Sequence, residues 1–170
     1  PPDPNPDPSP NPTTPAMRHN RFMSTVFEMI IREEIPGLFV WSDDSCVAIM
    51  TIEPISPGHV LVIPRDPISK WTDLPEALLD HVMNVAQVIG QAQEAAFDVP
   101  RVAVIIAGFE VPHTHVHVVP AVTEASASLQ FAREAPAEQL EEAAKKLRGA
   151  LVAAGHGDHV PPKATSPNLG

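Results

Sequence analysis

The sequence predicts an α+β domain built on a mainly antiparallel sheet. Three observations carry this reading. The elements run helix, three strands, helix, two strands, helix. Short turn signals, Asp43-Asp44-Ser45 and Pro57-Gly58, separate the early strands as they would in hairpins. Two later stretches repeat apolar residues at helical rather than strand spacing.

The elements follow in order. Ser24 can cap a short helix over 24–34, with Val26, Phe27, Ile30 and Ile31 on its apolar side, and Pro36-Gly37 stops it. Residues 38–41 and 46–52 read as two strands of a hairpin. After Pro57-Gly58, residues 59–64 are apolar on both faces apart from His59, the mark of a central strand. Pro75 suits the first turn of a long helix whose Leu78, Leu79, Val82, Ala86 and Ile89 share one side. Residues 101–107 form a further strand and 108–112 a short connection to the last one. A final helix over 136–154 has a stripe of Leu140, Ala144, Leu147, Leu151 and Ala154. Its reverse face carries Glu138, Glu141, Glu142, Lys145 and Lys146, read as solvated.

The domain is placed at 23–154. The first 15 residues hold eight prolines, so 1–22 is expected to be a disordered extension outside the core. Residues 155–170 lack periodicity and are expected to be a disordered tail. His19, His156 and His159 fall in these segments and read as solvated.

Composition bounds the function. An apolar share of 44 % in 170 residues supports one domain, and a formal charge of −10 argues against nucleic acid or an anionic membrane as partner. The single Cys46 excludes a disulfide framework and a Cys-x-x-Cys zinc knuckle. No apolar run reaches membrane-spanning length and no signal-peptide pattern is visible, so a cytoplasmic location is expected.

The most informative stretch is His113-Thr114-His115-Val116-His117-Val118-Val119-Pro120. On a strand, the three imidazoles would share one face. Neighbours two apart sit roughly 6.5–7 Å apart at Cα, so two could chelate one ion, whereas all three would need a bend. The row suits an extended anion such as a phosphate chain, with one ring attacking and its neighbours donating hydrogen bonds.

This stretch resembles the signature of the histidine-triad (HIT) family of nucleotide-binding proteins. Residues 26–36, Val-Phe-Glu-Met-Ile-Ile-Arg-Glu-Glu-Ile-Pro, are similar to the family's opening helix. Residues 57–65, Pro-Gly-His-Val-Leu-Val-Ile-Pro-Arg, are similar to its central strand. The resemblance spans about 24–120 in the expected order. It implies a HIT-like fold: a five-stranded antiparallel sheet, a short N-terminal helix, a long central helix and a C-terminal helix. It also implies a homodimer joined through long helices and edge strands. The implied activity is hydrolysis or transfer at the α-phosphate of a purine nucleoside 5′-phosphate derivative, without metal or other cofactor. His115 would be the nucleophile and His117 the contact to phosphate and leaving group, while His113 and His59 would orient the row. A neighbouring imidazolium could protonate the departing group. Val26, Phe27, Ile30, Ile49, Thr51 and Ile52 would hold the base and ribose.

The chain departs from the family in places. Thr25 and Glu28 stand where many members have zinc-holding cysteines, so a structural zinc is not expected. Thr51 replaces the usual ribose-binding acid or amide. Gly108-Phe109-Glu110 replaces the usual Gly-Gln pair before the triad, and Glu110 would repel a phosphate if close. The alternative reading is therefore a nucleotide-binding regulatory module with weak or no catalysis. Arg65 and Lys70 are candidates for distal phosphates or solvated surface residues.

Overall fold

Thr25, not Ser24, starts the first helix, α1 (Val26–Ile31). Its hydroxyl accepts the Glu28 N–H at 3.2 Å, and the Glu28 carboxylate accepts the Thr25 N–H at 2.8 Å, a reciprocal capping box. Glu33 enters the left-handed region at φ 62°, so the helix stops earlier than its apolar spacing predicts. The computed structural model describes residues 24–170; the proline-rich segment 1–22 and His19 lie outside the described residues.

The sheet begins with β1 (Phe39–Ser42) and β2 (Cys46–Met50), joined by a turn that Asp43 closes. One Asp43 oxygen accepts the N–H groups of Ser45 at 2.8 Å and Cys46 at 2.9 Å. Then come β3 (Val60–Pro64), α2 (Glu76–Phe97), β4 (Arg101–Ile105), β5 (Val116–Ala121) and α3 (Ala137–Ala153). The strands lie in the order β1-β2-β3-β5-β4, and every neighbouring pair is antiparallel. This is the α+β, five-stranded antiparallel fold that the sequence predicts. Among the described residues, no helix is long and apolar enough to cross a membrane.

Strand alternation assigns the two faces. The register sets Phe39, Ile49, Leu61, His117 and Ile105 in one row across all five strands. Phe27 of α1 closes over this row, joining Phe39, Val47, Ile49, Leu61 and Ile63 in a small core. The opposite face packs Ala48, Val60, Val62, Val116 and Val118 against Val82, Val85 and Ile89 of α2 and Leu147 and Leu151 of α3. Each fully buried Val, Ile or Leu side chain among them contributes about 1.5–3 kcal/mol.

Two expectations need correction. Only His117 lies within β5. His113 and His115 occupy an irregular lead-in, where the Thr114 N–H donates to Ile68 O at 2.7 Å rather than to a neighbouring strand. Residues 155–170, expected to be disordered, instead pack along β1. The Phe39 N–H donates to Ala164 O at 2.6 Å, and the Arg148 guanidinium links Phe39 O, at 2.8 Å, to Pro161 O. His159 stacks on Trp41 with centroids 4.3 Å apart, and His156 meets the same ring at 5.7 Å. These tail histidines have an aromatic partner that local pattern did not reveal.

Candidate active site

The imidazoles can be oriented one by one, because a backbone carbonyl only accepts and a backbone N–H only donates. His113 is fully buried. Its Nε2 is 2.7 Å from Pro64 O, so that nitrogen carries the proton. Its Nδ1 then accepts from the Thr25 hydroxyl at 2.9 Å. Burial holds its pKa below the ordinary value. Both nitrogens are committed, and the ring serves as a brace.

His115 differs at one nitrogen. Its Nδ1 lies 2.8 Å from His113 O and must donate. In the neutral ring the lone pair is therefore on Nε2. The ring is 8 % exposed, 4.9 Å from Phe27 and 5.0 Å from His117, centroid to centroid.

His59 and His117 form a directional relay. The Ile55 N–H donates to His59 Nδ1 at 3.1 Å, which leaves the proton on His59 Nε2. That proton points to His117 Nδ1 at 3.0 Å, so His117 carries its own proton on the outer Nε2. Burial, with His117 adding to it, pushes His59 down to about 3. Burial, with His115 adding to it, pushes His117 down to about 4. Near pH 7 His117 is thus a neutral N–H donor. This replaces the imidazolium expected from the sequence, because the buried pair has each inner lone pair already in a hydrogen bond.

The structure brings His59, His113, His115 and His117 together through these contacts. The six residues expected around a nucleotide are placed unevenly. Phe27 of α1 and Ile49 of β2 are buried in the small core beside the imidazoles, and Ile30 is partly buried against the same core. Val26 is partly exposed, while Ile52 is 70 % exposed beyond the end of β2. Thr51 is half-buried, and its hydroxyl accepts the Glu53 N–H at 3.3 Å. Phe109 is 96 % exposed, and Glu110 is exposed beside it. Arg65 is committed to the β1–β2 turn through Asp43 O and Ser42 Oγ, while exposed Lys70 pairs with Asp73. Thr25 is a functional contact that sequence reasoning missed, although Thr-x-x-Glu before an apolar run was a readable capping signal.

Two other clusters bring metal-ligand residue types together. Thr25, Glu28 and His113 do not fit a structural zinc: the first two are locked in the capping box and both His113 nitrogens are engaged. Asp43, Cys46 and His81 bring ligand atoms within 4.8 Å of one another. Burial would raise the Asp43 carboxyl, but hydrogen bonds from Trp41, Cys46, His81 and Ser45 outweigh it and hold the group at about 2. Burial pushes the Cys46 thiol far up, away from thiolate. The hydrogen-bonded hairpin turn accounts for this cluster.

Comparison with known proteins gives a consistent result. A model of the HIT domain matches residues 32–124. The chain is 36 % identical over 99 residues to an uncharacterized HIT-like protein of Synechococcus elongatus, covering 55 % of this chain and 86 % of that protein. A HIT-like protein from Bartonella henselae, described as involved in cell-cycle regulation, aligns with a TM-score of 0.68 at 36 % identity, over 75 % of this chain and 96 % of that one. A hypothetical histidine triad nucleotide-binding protein from Sulfolobus tokodaii aligns with a TM-score of 0.66 at 26 % identity, over 75 % and 91 %.

Proposed function

The chain belongs to the HIT domain family, and on that premise we propose that it cleaves a purine nucleoside 5′-phosphate derivative at the α-phosphate through a covalent nucleotidyl-histidine. The observation that carries this reading is the His115 Nδ1–His113 O hydrogen bond, which leaves Nε2 with its lone pair. That is the state a nucleophilic imidazole needs at neutral pH.

The proposed sequence has two displacements. His115 Nε2 bonds to phosphorus as the bond to the leaving group breaks. The outer N–H of His117 donates a hydrogen bond to the charge that develops on the phosphoryl or leaving oxygen. A phosphate leaves as an anion, whereas an amine borrows a proton from solvent. Water then attacks phosphorus, the bond to His115 breaks, and the borrowed proton is returned with the nucleoside monophosphate. Val26, Ile30, Thr51 and Ile52 retain enough exposure to meet a base and ribose. Phe27 and Ile49 belong to the small core beside the imidazoles.

The same reading includes a homodimer. The outer edge of β4 pairs with no strand among the described residues, and its Val104 is 45 % exposed. Light scattering on the eluting peak of a sizing column tests this, with twice the chain mass expected.

The deciding experiment incubates the protein with adenosine and guanosine 5′-phosphoramidates and with a dinucleoside polyphosphate. Mass spectrometry of the quenched enzyme should find one nucleotidyl group on His115, and a chelator should leave the rate unchanged. Binding of nucleoside monophosphate without turnover of any of these would instead support the regulatory module, with Phe109 and Glu110 as the departure responsible.

A further inference from the structure

Gln93 of α2 is fully buried on the sheet face away from the histidines. Its Nε2 donates to Gly58 O at 2.7 Å and to Val118 O at 2.9 Å, while its Oε1 has no partner. A buried acceptor left unpaired costs about 1–3 kcal/mol. The opposite amide flip would aim an oxygen at two carbonyl oxygens, so the observed orientation is the only one that fits. Packing in this part of α2 also needs no polar group, since Ile89 and Ala92 beside it are apolar and buried.

The two acceptors explain the glutamine. Gly58 immediately precedes His59, and Val118 immediately follows His117. One amide therefore ties together the backbone on either side of the relay. The helix packs closely on the sheet on either side of Gln93. Phe97, one turn on, lies so close that a Cβ on Gly58 would come within 2.3 Å of its ring, and Gly58 sits at φ +89°. Gly90, one turn earlier, lets α2 approach Val102 and Val118, with a built Cβ at 3.5 and 4.0 Å from them.

We propose that Gln93 is a positioning residue for the histidine relay. It fixes the separation of Gly58 and Val118, keeps the His59 Nε2–H on His117 Nδ1, and so keeps the outer His117 N–H available to substrate. The inference rests on the catalytic reading above for its kinetic part and on geometry alone for its tautomeric part.

The test uses the full chain with Gln93→Met, which retains length and loses both donors, and Phe97→Leu as a packing control. Imidazole nitrogen NMR without substrate reads the tautomers of His59 and His117; steady-state kinetics with adenosine 5′-phosphoramidate read kcat and KM. Gln93→Met should give His117 a mixed or reversed tautomer. Its kcat should fall about tenfold, less than the 10²–10³-fold for deleting a preorganised donor, with KM little changed. Phe97→Leu should lower Tm and leave the tautomers alone. Should Gln93→Met not fold, Gln93→Asn carries the same test, since its amide is one methylene too short to reach both carbonyls. Wild-type tautomers in a folded Gln93 variant would overturn the proposal, as would a raised KM at unchanged kcat. An inactive wild type would sink the catalytic reading, and the tautomer measurement would still decide the role of Gln93.

Discussion

The two faces of the sheet are covered very differently. The face with the histidines has one six-residue helix over it, and the reverse face has helices of 22 and 17 residues. The thin cover leaves the edges of His115 and His117 within reach of solvent; the thick cover supplies most of the apolar burial. The difference teaches that, on the proposed function, turnover would depend on the thinly covered face, while most of the apolar stabilisation lies behind the same five strands. Removing a reacting ring in front should act mainly on turnover and truncating the core behind mainly on unfolding, with Gln93 the point where the back reaches through to the front.

The sharpest break of this comparison is at His115. His115→Asn should lower the rate on the order of 10⁴-fold or more, with Tm nearly unchanged, because a nucleophile is lost and no core atom is. A large drop in Tm would show that the front face also carries the fold.

Acid comes next and probes the front face as structure. His59 and His117 are neutral in the fold with pKa values of about 3 and 4, whereas the unfolded rings bind protons near 6.5. Stability is thus full above pH 6.5 and declines as pH falls toward those folded values. Denaturant titration should find less stability at pH 5 than at pH 7.5, by about 1–3 kcal/mol once the partial exposure of His117 and the coupling of the two rings are allowed for. A flat profile would place these rings in water.

Leu147→Ala tests the back. Leu147 is fully buried between α3 and the sheet, and its truncation should cost about 2–5 kcal/mol in urea unfolding, with kcat preserved in the folded protein. The smallest effect is expected for Thr25→Val, which removes the α1 cap and the donor to His113. A loss of about 1–2 kcal/mol is expected by thermal unfolding.

Much of this was legible in the sequence. The all-apolar stretch after His59 implied burial on both faces, and Val60 and Val62 pack behind while Leu61 and Ile63 pack in front. The helical spacing of Leu140, Ala144, Leu147 and Leu151 was sufficient for α3. What could not be read depends on partners distant in the chain. The His113 brace is set by Pro64 O and Thr25, and the Gln93 tie by Gly58 and Val118. Strand periodicity also extended β5 too early, since alternating side chains persist through a backbone segment that has left the ladder. The ordered tail eluded pattern because its order comes from an aromatic stack and backbone hydrogen bonds to β1, neither of which needs an apolar repeat.

The segment lying along β1 also limits how copies of the protein can associate. An unsheathed outer strand is a template for adding further strands. With Ala164 and Arg148 occupying the Phe39 backbone, the sheet border without such a contact among the described residues is the opposite one, Arg101–Ile105. If the proposed homodimer forms there by a twofold rotation, both templates are consumed and the array closes at a pair instead of lengthening into a fibre.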